Sequence, residues 1–159
     1  MVQTGVEQKA VRFSHDGRYL AADATDGRPS LFRTGTWEQV WRADVGHNGV
    51  GTLVSFSPDG RVLARSGGDS KIFLYDVSTG TSIGRPLGPD SQSNTSLYAE
   101  FRPDRNEIVG YFSDGALHSW DLDPASWVRR ACTIAGRDMT PEEWRRVLPD
   151  RPYRHVCPG

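Results

Sequence analysis

Three segments of this chain align on one another without a gap, and that repetition limits the fold more than any other feature. They are 11–21 (VRFSHDGRYLA), 54–64 (VSFSPDGRVLA) and 99–109 (AEFRPDRNEIV), with Phe13, Phe56 and Phe101 standing 43 and 45 residues apart. A period of about 20 to 50 residues marks a solenoid, a propeller or an array, because each repeat is one unit that must stack on its neighbours to bury its apolar face.

Each segment has the same physical content. An alternating strand ends in Phe, a tight Asp-Gly or Pro-Asp turn follows, and a second apolar strand enters with Leu or Ile, which together read as a β-hairpin. A third strand comes in register at 30–33, 72–76 and 117–121, where Phe32, Tyr75 and Trp120 are again 43 and 45 residues apart. Asp26, Asp69 and Asp114 sit in the turns that feed those third strands. Fourth strands are expected at 37–41 and 81–84, each after a Thr-Gly turn. Four short antiparallel strands per unit of about 44 residues make one propeller blade. Helical periodicity is missing before residue 124, which excludes a parallel α/β sheet.

The middle repeat carries Gly46-His47, then Phe56-Ser-Pro-Asp-Gly60, Asp69 and Tyr75-Asp76, and in this order it resembles the WD40 repeat. The resemblance covers about residues 10 to 122. It implies an all-β fold: a partial WD40-type β-propeller of about three four-stranded blades, at about 10–45, 46–90 and 91–122 within a first domain of 1–122. It also implies a buried polar network that locks a blade, with roles falling to His47, Asp69 and Tyr75. The third repeat keeps Asp114 and Trp120-Asp121, whereas the first ends in Phe32-Arg33 and has Thr4 where His would stand. One blade is therefore expected to hold most of the polar network while two rest on apolar packing.

Residues 123–159 read as a separate helical extension. Asp123-Pro124 is an N-cap followed by proline at the first helical position, and Gly136 ends the helix. Thr140-Pro-Glu-Glu143 starts a second helix with a capping box, closed by Leu148-Pro149. With Trp127, Cys132, Arg137, Thr140, Trp144, Leu148-Pro149, Pro152-Tyr153 and Cys157 in this order, the tail resembles the C-terminal extension of bacterial multidomain WD40 proteins, in which the propeller commonly follows a nucleotide-binding ATPase, a kinase or a protease-like effector. Two cysteines, Cys132 and Cys157, allow at most one intramolecular disulfide, the alternative being two buried free thiols.

Charge and composition narrow the function. A net charge of −1 argues against nucleic acid or an anionic membrane as partner, since both are bound through a basic surface. Residues 1–123 hold 12 Lys+Arg against 16 Asp+Glu, and 124–159 hold 7 against 4. No stretch reaches the roughly 18 to 20 apolar residues of a membrane span, and the N-terminus lacks a signal pattern, so a cytoplasmic location is expected.

His47 and Asp69 could be read as a base and its orienting carboxylate, but the repeat grammar already assigns both to the blade network. No G-x-S-x-G elbow accompanies Ser55, Ser57 or Ser66. The histidines and cysteines are scattered, which speaks against a metal, and Gly67-Gly68 lacks the surroundings of a phosphate loop. The expectation is a module without catalysis or cofactor that binds protein partners as scaffold or sensor in signalling. Its missing blades would come from a longer chain or from self-association. A TolB-like periplasmic propeller and a propeller-scaffold hydrolase are the alternatives. Gly46-His47 and Trp120-Asp121 weigh against the first, and the absent acid or histidine cluster against the second.

Overall fold

A computed structural model of the chain describes residues 5–44, 53–67, 71–88, 96–112 and 115–157. It divides into two compact units, 1–120 and 121–159. The first unit holds three antiparallel sheets. In the first, β1 (Gln8–Phe13), β2 (Tyr19–Ala24), β3 (Pro29–Arg33) and β4 (Gln39–Arg42) pair in chain order. The second contains β5 (Val54–Phe56), β6 (Val62–Ser66) and β7 (Ile72–Asp76), and the third β8 (Ser96–Phe101), β9 (Glu107–Phe112) and β10 (Leu117–Asp121).

The repeat seen in sequence is a repeat of register. Phe13 pairs with Leu20, Phe56 with Leu63 and Phe101 with Ile108. Each hairpin is closed by the residue after the Phe: Ser14 N–H donates to Tyr19 O (2.9 Å), Ser57 to Val62 (2.8 Å) and Arg102 to Glu107 (2.8 Å). In the first two turns the Ser hydroxyl donates to the Asp two residues on, and glycine takes the left-handed position, Gly17 at φ 70° and Gly60 at φ 69°. Arg105 stands where the third glycine would be, so that turn is held instead by Arg102 against Asp104 and Glu107.

Two expectations about the outer strands need correction. Trp37 lies in the turn before β4, at φ 60°, with its N–H bonded to Arg33 O, so β4 begins at Gln39. In the middle repeat the expected fourth strand is reduced to two isolated bridges, Tyr75 with Ser82 and Ile72 with Leu87. Pro86 has no N–H to give a ladder, and Gly84 at φ 63° turns the backbone out of the extended region. Among the described residues, then, one sheet has four strands and two have three.

The first and second sheets pack through Ala21, Leu31, Phe56, Leu63, Phe73 and Tyr75, all buried. Each large apolar side chain sealed there contributes roughly 1.5 to 3 kcal/mol of transfer free energy. Ala99, Phe101, Ile108 and Phe112 are buried in the third sheet, and Gly110 lets it close on the second: a Cβ there would stand 3.0 Å from the Ile72 Cδ1.

The second unit contains α1 (Pro124–Ala135) and α2 (Pro141–Val147). Asp123 caps α1 by accepting from Ala125 N–H, and Gly136 ends it in the left-handed region at φ 70°. The Thr140–Glu143 capping box is formed in both directions. Cys132 and Cys157 are joined as a disulfide with Cα atoms 5.4 Å apart. No described helix is long and apolar enough to cross a membrane.

Candidate interaction surface

Of the residues assigned to the blade network, His47, Asp69 and Asp114 lie outside the described residues. Tyr75, on β7, is 2 % exposed, and among the described residues its hydroxyl has no hydrogen-bond partner. Burial pushes that hydroxyl up to about 12, with Asp23 adding to the shift and Arg65 opposing it. Trp120 is half-buried, edge-on to Phe112 and stacked against His118 at 5.9 Å between centroids.

Three contacts that the repeat pattern does not announce tie the sheets together. Arg65 of β6 donates from Nε to Asp23 Oδ1 of β2 at 2.6 Å, with both side chains wholly buried. Burial raises the Asp23 carboxyl above its ordinary range although Arg65 opposes the shift. Trp41 of β4 donates from its indole to Val77 O at 2.8 Å, and its ring covers Gly80, where a Cβ would meet it at 2.7 Å. Ser55 of β5 accepts from Phe101 N–H of β8 at 3.1 Å.

At one end of the strands β1, β5 and β8 an open cleft of about 500 Å³ is lined by Arg12, Phe13, His15, Phe56, Phe101 and Arg102 among others. Arg12 reaches Glu100 across it at 3.8 Å, and Arg102 is engaged by Asp104 and Glu107. The cleft therefore has opposed charges in balance. Groups of three or more metal-binding side chains are absent among the described residues.

Apolar side chains are exposed on the outer faces of the first and third sheets. Val11 and Phe13, two residues apart and so on one face of β1, are 60 % and 55 % exposed. Ala10 and Leu31, on the opposite face of that sheet, pack toward the second sheet instead. On the third sheet Tyr98 pairs with Tyr111 across β8 and β9, and both are exposed, as is Leu117 of β10. Their alternates Ala99 and Phe112 are buried. On the third sheet one face thus keeps large apolar side chains in water, whereas on the first the exposure is confined to β1, because Ala22 and Phe32, which share a face with Val11 and Phe13, are buried.

The chain resembles proteins whose sheets are arranged in the same way. The family description "Anaphase-promoting complex subunit 4 WD40 domain" matches residues 20–97. WD repeat-containing protein 1 of Xenopus tropicalis is 35 % identical over 77 residues, 48 % of this chain and 12 % of that protein. The WD repeat-containing protein 26 homolog of Arabidopsis thaliana is 27 % identical over 116 residues, 71 % of this chain and 19 % of its own length. Among solved structures, the RRP9 WD40 repeats superpose with a TM-score of 0.67 at 12 % identity, over 76 % of this chain and 37 % of theirs. The chain has the fold of part of a WD40-type β-propeller. It spans about an eighth to a fifth of the length of these curated relatives, and the mostly β fold with two short C-terminal helices fits part of a propeller. WD40-repeat proteins generally mediate protein–protein interaction or scaffolding, and WD40 domains typically bind protein partners.

Proposed function

We propose that this WD40 chain is a non-catalytic interaction module, a scaffold or sensor that works through its blade faces in a cytoplasmic signalling protein. The observation that carries the reading is the pair of exposed apolar patches, Val11 and Phe13 on β1 at one end of the three sheets and Tyr98, Tyr111 and Leu117 at the other. A blade buries its two faces against neighbouring blades, and a closed ring takes about four to eight of them. The occupants of these faces are further blades, supplied by a longer chain or by a second copy, and protein partners dock on the assembled surface. The signalling context is drawn from the tail, whose Trp127, Cys132, Thr140, Trp144 and Cys157 resemble the extension found after WD40 repeats that follow an effector domain. His47, Asp69 and Tyr75, with Asp114 and Trp120 in the third blade, are the proposed locking residues. Neither cofactor nor metal belongs to the function, and the net charge of −1 favours protein over nucleic acid or membrane.

Charge placed on the two faces tests the reading. Phe13→Asp with Tyr98→Asp should weaken self-association, followed by sedimentation, by about tenfold or more at unchanged near-ultraviolet circular dichroism. Association that does not respond to either substitution would overturn it.

A further inference from the structure

The disulfide of the tail unit fastens its parts unequally. The C-terminal segment is already held to α2 and to the loop before it without the Cys157 sulfur. Asp138 accepts from the N–H groups of Val156 and Cys157, Tyr153 OH donates to Met139 O, and the Trp144 indole donates to Arg151 O. Trp144 and Tyr153 also meet edge to face at 5.8 Å. By contrast α1 has no buried residue. Its first turns are tied to the chain just before it, with the Trp127 indole donating to Asp121 O at 2.6 Å and Arg129 3.7 Å from Asp123. Its later turns meet the C-terminal segment at the sulfur of Cys132 and across an open apolar cleft of about 340 Å³, lined by Val128, Ala131 and Ala135 on its side and by Trp144, Leu148 and Val156 on the other.

The bond is also reachable. Cys132 and Cys157 are both half-buried and border a second open cavity of about 650 Å³, together with Arg129 and Arg137. Arg137 is paired with Glu143 at 2.8 Å and Arg129 lies 3.7 Å from Asp123, so the case for exchange rests on the access of a donor thiolate to the sulfurs through this cavity. The one carboxylate in that lining, Asp138, is engaged by backbone N–H groups.

We infer that Cys132–Cys157 is a reversible thiol–disulfide exchange site that clamps α1, and that its reactant is a dithiol reductant. A donor thiolate attacks one sulfur, a mixed disulfide forms, and the donor's second thiol resolves it. Two electrons and two protons pass to Cys132 and Cys157, which become thiols, while the donor becomes its cyclic disulfide. Because the C-terminal segment keeps its own hydrogen bonds, reduction releases α1 and uncovers the apolar cleft, leaving α2 in place. This site does not depend on the blade faces being docking surfaces.

Hydrogen exchange on the full chain, oxidised and then treated with dithiothreitol without denaturant, tests the clamp. The amides of the last two turns of α1 should exchange at least about tenfold faster after reduction, with α2 and strands β2, β3, β6 and β7 unchanged, and oxidised glutathione should restore the first pattern. Cys132→Ser combined with Cys157→Ser should show the reduced pattern under all conditions. Unaltered α1 exchange would refute the inference. So would loss of protection in α2 or the strands along with α1, or a bond that resists dithiothreitol until the chain is unfolded.

Discussion

Arg65 Nε lies 2.6 Å from Asp23 Oδ1, and neither side chain is exposed to solvent. The pair joins the second strands of two successive blades beside the apolar layer of Ala21, Leu31, Leu63 and Phe73. Removing one partner leaves a desolvated charge, so Asp23→Ala should destabilise the chain by about 3 to 5 kcal/mol in urea titration. Asp23→Leu combined with Arg65→Met should recover most of that loss, because no charge is then left buried. A loss below about 1 kcal/mol for Asp23→Ala would show that the pair does not bind the blades together.

Gly80 is constrained twice, by a φ of 74° and by the Trp41 ring 2.7 Å from where a Cβ would be. Gly80→Ala should therefore cost about 2 kcal/mol or more, through backbone strain and displacement of the indole from Val77 O. Trp41→Phe keeps a ring over the glycine but loses the hydrogen bond and part of the indole's contact with the core, for about 1 to 2 kcal/mol, while leaving the left-handed backbone at Gly80 unstrained. Equal losses for the two variants in thermal unfolding would contradict this division.

The acid response of the tail follows from Glu143. Arg137 foremost, and then the Thr140 N–H, hold its carboxyl down to about 2 against an ordinary value of 4.5. A folded-state value below the unfolded one means that its stabilisation is complete above about pH 4.5 and disappears as pH falls toward 2. Protection of α2 amides should decline across that window in the native chain and stay flat in Glu143→Gln. Asp23 acts in the opposite sense, since its carboxyl is raised by burial: its contribution declines as pH rises above its unfolded value of 3.8. Asp23→Asn should remove that opposing slope.

Much of the architecture was legible because it is built from local rules. Phe13, Phe56 and Phe101 announce the hairpins since the turn chemistry that follows each is short-range, and Asp123 and Thr140 announce helix starts for the same reason. The middle blade's fourth strand was misjudged because a Thr-Gly turn predicts a hairpin, whereas Gly84 and Pro86 just beyond it break the ladder. The ties between blades were not legible, because they join positions that are not equivalent in the repeat. Asp23 aligns with Ser66, and Arg65 with Ala22. One signal was present: a single charge inside each of two otherwise apolar strands, AADA at 21–24 and VLARS at 62–66, with opposite signs. A charge that interrupts a buried strand needs a partner, and the partner was in the next blade. The face residues Val11 and Tyr98 were hidden for another reason, since alternation alone does not say which side of an end sheet is covered.

The central claim is that the outer faces of the first and third blades are contact surfaces for more protein. Multi-angle light scattering on the chain, over a range of concentrations, tests it most directly. The account predicts mass at multiples of 17.6 kDa, reduced toward the single-chain value by Phe13→Asp with Tyr98→Asp. A soluble species that stays at 17.6 kDa at every concentration and unfolds in one cooperative transition would contradict it.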